Sequence, residues 1–159
     1  MPDAGGSVIS ACSSASKTTL APAIPFTAGL PWSYVLMDTA YAQLDIPFDQ
    51  AFSVLSTVLS RPRREQCATD AGLKANAVDH GNPSVKGIDG AQVLFLSDEH
   101  ASIALPAACE LRPGDRLELW PSHVDPTINL HDVMYALDGE EVVETWPVAA
   151  RGYTEQRAQ

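Results

Sequence analysis

The order of apolar and polar positions along the chain predicts many short strands. Residues 116–120 and 133–137 alternate between apolar and polar side chains, whereas residues 92–97 (QVLFLS) are almost entirely apolar. Short runs of either kind, separated by Gly and Pro, are typical of strands. Asp138-Gly139 is a strong hairpin signal between two such runs. The strands are predicted at residues 32–38, 51–60, 66–70, 92–97, 116–120, 133–137 and 141–148.

One run is ambiguous between helix and strand. The apolar residues of 51–60 (AFSVLSTVLS) partly fit helical spacing. The Ser, Thr and Val content favours a strand, and Arg61-Pro62 should end it. Outside the strands, residues 40–45 are predicted to form a short helical turn. The pattern as a whole predicts a mainly β fold, a single β-barrel or β-sandwich domain with short helical turns.

Charge narrows the range of partners. The formal net charge is −10, from 20 acidic and 10 basic residues. Such a surface repels phosphate backbones and anionic lipid, so neither a nucleic acid nor a membrane is a predicted partner. No apolar run approaches the roughly 20 residues that span a bilayer. The first residues contain no basic segment of the kind that begins a secretory signal.

The cysteines indicate a reducing compartment. Cys12, Cys67 and Cys109 are odd in number and widely spaced, and no C-x-x-C pair occurs. A disulfide framework or a zinc knuckle is therefore disfavoured. Buried free thiols are the expected state, and a cytoplasmic location fits best.

The candidate chemistry lies in residues 121–132, PSHVDPTINLHD, which Pro and small polar residues mark as a loop between strands. In extended backbone, His123 and Asp125 would point to the same side. An imidazole and a carboxylate suit a divalent cation such as Mn²⁺, Zn²⁺ or Mg²⁺, and two protein ligands leave positions open for water or substrate. The alternative is an ordinary hydrogen-bonded pair within a turn.

Several stretches occur in the order found in one enzyme family. They are SYVLMD (33–38), LSTVLSRP (55–62), TDAGLKA (69–75), LSDEHA (96–101), LRPGDRLELWPSHVDPTINLHD (111–132) and VVETWPVAARG (142–152). On these the chain resembles the C-terminal domain of the D-threonine aldolase and D-serine dehydratase-like family. These are fold-type III pyridoxal-phosphate enzymes, related in their barrel to alanine racemase.

The resemblance implies a metal site at His123 and Asp125, close to pyridoxal phosphate in a complete enzyme. Dehydratase-like members often have Cys and zinc where this chain has Asp125. Asp125 therefore favours the aldolase branch, with Mn²⁺ or Mg²⁺ preferred and Zn²⁺ possible. The implied reaction is retro-aldol cleavage of D-3-hydroxy amino acids to glycine and an aldehyde. The alternatives are a D-serine dehydratase-like ammonia-lyase domain and a non-catalytic β domain for binding or assembly.

The resemblance also implies a domain division and a missing part. Residues 1–30 resemble a remnant of the last (β/α) barrel strand and its connector, 31–152 the β domain, and 153–159 a tail. The family's cofactor lysine lies in an N-terminal barrel of more than about 200 residues. Lys17, Lys74 and Lys86 do not match its context. We therefore expect a truncated chain that is inactive alone, with a barrel domain or second subunit as partner and a D-hydroxy amino acid as substrate of the complete enzyme.

A second cluster is a candidate for supporting the metal ligands. Asp98, Glu99 and His100 end a predicted strand and carry groups that can orient ligands without touching the ion. The alternative is that they cap a turn. Trp120 and Trp146 are predicted to be aromatic residues of the core.

Overall fold

The computed structural model describes residues 8–12, 36–43, 47–149 and 151 of the 159-residue chain. Lys17, the predicted tail at 153–159 and most of the N-terminal segment lie outside the described residues. The strands are β1 (Val8–Cys12), β2 (Phe52–Arg63), β3 (Gln66–Thr69), β4 (Ser84–Val85), β5 (Gln92–Leu96), β6 (Ala101–Ala104), β7 (Arg116–Trp120), β8 (Val133–Asp138) and β9 (Glu141–Pro147). A 3-10 helix covers Tyr41–Gln43, and a short α-helix, α1, covers Val124–Ile128.

The strands form one nearly closed, barrel-like sheet, which confirms the predicted mainly β fold. The strand order is β5-β6-β3-β2-β1-β8-β9, and β7 pairs with β2 and with β4. All pairs are antiparallel except β1 with β8. β1 lies between β2 and β8 and therefore belongs to the same sheet as the other strands. The predicted domain boundary at residue 30 stays a prediction.

The long strand β2 organises the sheet. Its first half pairs with β1 on one side and β7 on the other, and its second half pairs with β3. Register shifts on either side of Ser60 mark irregular pairing there. Bulges of this kind bend a strand, which lets one strand serve both parts of a curved sheet.

The core is built from inward-facing residues of β2 and its neighbours. Phe52, Val54 and Leu119 have no exposed surface, and Ile103 of β6 is equally buried. Burying a side chain of this size contributes about 1.5–3 kcal/mol relative to exposure. The burial of these side chains therefore stabilises the sheet.

Three local predictions differ from the structure. Leu36 to Asp38, the described part of the strand predicted at 32–38, are not in a strand. β2 does not end at Arg61-Pro62 but continues to Arg63. Pro62 lies between the paired residues Ser60 and Arg63, where the pairing with β3 is irregular. A proline, which has no N–H to donate, is tolerated at such a position. Trp146 is exposed rather than in the core, because β9 is the last strand of the sheet order and every residue of it is exposed.

Within the described part of the chain, no helix has the length and apolar character needed to cross a bilayer.

Candidate metal centre

The predicted ligands lie on the segment that joins β7 to β8. His123 has extended backbone, with φ −147° and ψ 119°, and α1 begins at the next residue. The prediction of extended geometry at Val124 is therefore wrong. Pro126 is tolerated because it lies in the first helical turn, where backbone N–H groups have no partner within the helix. The Thr127 hydroxyl donates a 2.7 Å hydrogen bond to the carbonyl oxygen of His123 and so closes this turn.

His123 and Asp125 nevertheless approach each other. The distance from Nε2 of His123 to Oδ2 of Asp125 is 3.7 Å, and their side chains are 22% and 26% exposed. A cation about 2.1 Å from each atom can bridge a gap of this width, since that is the usual bond length for nitrogen and carboxylate ligands. The two groups therefore fit a shared divalent ion with room for further ligands.

The loop that precedes β4 supplies two more groups. Oδ2 of Asp79 lies 2.5 Å from Nδ1 of His123, and the His80 ring stacks on that of His123 with centroids 4.1 Å apart and planes 4° from parallel. Ligand-type atoms of Asp79, His80 and His123 all lie within 4.8 Å of one another. Sequence reasoning missed Asp79 and His80, although an Asp-His pair in a polar loop is itself a signal worth testing.

Buried hydroxyl groups hold this loop against α1. Ser122 is 1% exposed and donates a 2.6 Å hydrogen bond to the Gly81 carbonyl oxygen. The Thr127 hydroxyl, also buried, accepts a hydrogen bond from the Ala77 amide. Nε2 of His131 donates to the Ala75 carbonyl oxygen at 2.9 Å. These bonds connect both ends of residues 75–81 to the segment that carries His123.

The hydrogen bond to His123 favours the ionised form of Asp79. It is the main cause that lowers the pKa of Asp79 below its ordinary value, against an opposing effect of desolvation. The positive charge of protonated His123 or His80 acts in the same direction. Asp79 is therefore a carboxylate at neutral pH, and such a group can only accept a hydrogen bond.

The cluster Asp98, Glu99 and His100 forms the exposed connection between β5 and β6. Glu99 pairs with Lys74, and the His100 carbonyl oxygen accepts a hydrogen bond from the Ser97 amide. Gly72 packs so closely here that a Cβ would lie 2.2 Å from the Ser97 carbonyl oxygen. The contacts described are those of a turn, and the role of the cluster in orienting metal ligands stays a prediction.

The second His-Asp pair of the segment has other partners. His131 is buried, and its Nε2 donates the hydrogen bond to the Ala75 carbonyl oxygen. Asp132 forms an ion pair with Arg151. Of the predicted thiols, Cys67 is buried, and Cys109 is half-buried; both are free. Burial is the main cause that raises the pKa of the Cys67 thiol.

Comparison with known proteins places the chain in a family. The family model described as "Putative serine dehydratase domain" matches residues 51–137. The chain therefore belongs to the serine dehydratase domain family. It is 35% identical over 127 residues to a D-threonine aldolase of an Arthrobacter species, covering 77% of this chain and 34% of that protein. It is also 35% identical to a 3-hydroxy-D-aspartate aldolase of Paracoccus denitrificans, over 129 residues that cover 76% of this chain and 33% of that protein. The chain thus spans about a third of the length of these relatives.

A shorter relative and a solved structure complete the comparison. An uncharacterized protein of Mycobacterium tuberculosis is 32% identical over 122 residues, which are 67% of this chain and 87% of that protein. The crystal structure of D-threonine aldolase from Filomicrobium marinum superposes with a TM-score of 0.68 at 36% identity, covering 75% of this chain and 34% of that chain. D-threo-3-hydroxyaspartate dehydratase from Delftia sp. HT23 shares the fold with a TM-score of 0.63 at 23% identity, covering 77% of this chain and 38% of that chain.

Proposed function

We propose that this chain is the metal-bearing domain of an aldolase-type lyase that cleaves D-3-hydroxy amino acids to glycine and an aldehyde. His123 and Asp125 are the proposed ligands. The observation that carries the proposal is the 3.7 Å approach of His123 Nε2 to Asp125 Oδ2 on a half-buried surface. The aldolase names of the Arthrobacter and Paracoccus relatives support the reaction class.

The types of the two proposed ligands favour particular ions. Asp125 contributes a hard, anionic oxygen, and His123 contributes a nitrogen of intermediate character. Such a pair favours Mn²⁺ or Mg²⁺, with Zn²⁺ as a further candidate. When bound, the ion supplies a Lewis acid that polarises the hydroxyl group of the substrate. His123 and Asp125 would hold that ion, and two protein ligands would leave it accessible to substrate and water.

The described residues do not fit a covalent pyridoxal-phosphate site. Lys74 pairs with Glu99, and Nζ of Lys86 lies 2.7 Å from Oε2 of Glu118. Both side chains therefore already have a carboxylate partner, and neither lies in the sequence context of the family's cofactor lysine. Lys17, which lies outside the described residues, does not match that sequence context either. We therefore infer that the cofactor lysine of a complete enzyme comes from another domain or subunit and that this chain is inactive alone.

A second candidate function is non-catalytic binding or assembly. The mycobacterial relative favours it, because 87% of that protein corresponds to this domain. The two proposals differ at the metal site, since a purely structural domain does not need His123 and Asp125 to bind an ion. A D-serine dehydratase-like activity uses the same site, and the identity of its substrate separates it from an aldolase.

The proposal is tested by Mn²⁺ titration followed by electron paramagnetic resonance of the free ion. We expect one Mn²⁺ per chain and a loss of affinity of more than about 10-fold in Asp125→Ala, the lower limit expected even for loss of an outer partner. Asp132→Ala is the matched control, because it removes an equally charged side chain whose partner is Arg151. Equal weakening in both variants would show that the net charge of −10 attracts the ion diffusely, and would refute the site.

A further inference from the structure

Two carboxylates approach the same imidazole from opposite nitrogens. Asp79 lies 2.5 Å from Nδ1 of His123, whereas Asp125 lies 3.7 Å from Nε2. The first distance is that of a direct hydrogen bond, and the second leaves space for a third atom. The two sides of the ring are therefore not equivalent.

We propose that Asp79 is a positioning residue for His123. Its carboxylate accepts the Nδ1–H, so the lone pair of the neutral imidazole is on Nε2, on the side of Asp125. A neutral imidazole has one donor and one acceptor nitrogen, and the hydrogen bond of one nitrogen determines the role of the other. Carboxylate–histidine–metal arrangements use this device to orient the ring and to strengthen the ligand. The metal part of the inference rests on the proposed function; the tautomer does not.

The stacked rings exclude the competing arrangement in which Asp79, His80 and His123 share an ion. A nitrogen lone pair lies in the plane of its ring, and the two ring planes are nearly parallel with centroids 4.1 Å apart. One ion cannot lie in both planes, so it cannot bond well to both imidazoles. His80 instead covers one face of His123 and limits the tilt of that ring.

The loop that carries Asp79 is held independently of the hydrogen bond itself. Ser122 bonds to the Gly81 carbonyl oxygen, and Thr127 accepts the Ala77 amide. The Asp79 side chain is 50% exposed, so its orientation is not a consequence of being packed in a core. Anchors on both sides of Asp79 therefore bring its carboxylate to Nδ1 before any ion binds.

The test compares Asp79→Ala, Asp89→Ala and His80→Phe with the unaltered chain. Asp89 is an exposed carboxylate between β4 and β5, and its substitution changes the net charge by the same amount as Asp79→Ala.

The first readout is the ¹⁵N spectrum of the His123 ring without metal, assigned with His123→Gln. The second is Mn²⁺ affinity by paramagnetic resonance. We expect the proton on Nδ1 in the unaltered chain and in Asp89→Ala, and a mixture of tautomers in Asp79→Ala. Affinity should fall about 10- to 100-fold in Asp79→Ala and stay unchanged in Asp89→Ala, whereas His80→Phe, whose ring can still stack on His123, should retain binding.

Each contrary result has a defined meaning. The same tautomer in Asp79→Ala and in the unaltered chain overturns the positioning role, whatever happens to metal binding. A complete loss of binding in both Asp79→Ala and His80→Phe overturns it as well, because these residues would then be ligands. If the unaltered chain binds no Mn²⁺, the proposed function fails, and the tautomer readout still decides the role of Asp79.

Discussion

His123 is the residue on which the site depends. Its backbone ends the extended segment before α1, and its ring contacts three other side chains, those of Asp79, His80 and Asp125. Each contact uses a different part of the ring: one nitrogen, one face and the other nitrogen. A substitution here therefore removes a proposed metal ligand and the group around which its neighbours are arranged.

Burial and hydrogen bonding have opposite effects on the pKa of Glu118. Burial alone would raise the pKa of Glu118, but hydrogen bonds from Lys86 and Ser53 outweigh it and lower the pKa below its ordinary value of 4.5. The donors are Nζ of Lys86 at 2.7 Å and Oγ of Ser53 at 2.5 Å. The folded state therefore favours the ionised carboxylate.

Glu118→Gln should remove a pH-dependent part of the stability. Because the folded state has the lower pKa, the contribution of Glu118 is present above the ordinary value of 4.5 and is lost as the pH falls through the lowered pKa. Its size is about 1 kcal/mol or less, since the group is one-third exposed and screened by solvent. Urea unfolding at about pH 6 and about pH 3 measures it. Glu140→Gln, at the exposed turn between β8 and β9, is the control; an unchanged pH dependence in Glu118→Gln would contradict the assignment.

At the scale of single elements, the strands could be predicted where a local pattern determines them. β5, β7 and β8 follow apolar runs or alternation, and Gly139, with φ 63°, lies at the predicted hairpin turn. These features depend on neighbouring residues along the chain. Side-chain period and turn chemistry are therefore sufficient to find them.

The short helix α1 could not be predicted in the same way. Asp125 precedes a proline, which disfavours helical backbone at that position. The helix forms because Thr127 bonds both to the His123 carbonyl oxygen and to the Ala77 amide. The second of these bonds joins residues 50 positions apart, so no local pattern contains it.

Thr127→Val should weaken both the fold and the metal site. The side chain has no exposed surface, and its loss leaves the Ala77 amide without this acceptor. An unsatisfied buried group costs about 1–3 kcal/mol, which denaturant unfolding can measure. Mn²⁺ affinity should fall as well, because the loop that carries Asp79 is less firmly held.

Thr145→Val on the exposed strand β9 is the matched control, and it should alter neither stability nor affinity. A loss of stability in Thr127→Val with unchanged Mn²⁺ affinity would show that anchoring of the loop does not contribute to the site.

At the scale of the whole molecule, the family and the fold could be predicted, but half of the site could not. The stretch around His123 carries the resemblance to the family and lies within the residues that the family model matches, and the strand pattern indicates the β domain. Asp79 reaches His123 because strand pairing and side-chain hydrogen bonds bring two distant loops together. β4 pairs with β7, and Ser122 donates a hydrogen bond to the Gly81 carbonyl oxygen. Pairing between strands that are far apart in the chain is not contained in the local pattern of either strand.

The net charge of the whole molecule also affects the interpretation of metal-binding experiments. A net charge of −10 attracts divalent cations to the surface without a specific site. Binding curves therefore need charge-matched variants, whereas a structural measurement locates the ion without them.

Anomalous diffraction from Mn²⁺-containing crystals of this chain tests the central claim most directly. We expect one anomalous peak within bonding distance of both Nε2 of His123 and Oδ2 of Asp125, with Asp79 still hydrogen-bonded to Nδ1. A peak between Asp79 and His80, or no peak at His123 while Mn²⁺ is found elsewhere on the surface, would contradict the assignment of His123 and Asp125 as the metal ligands.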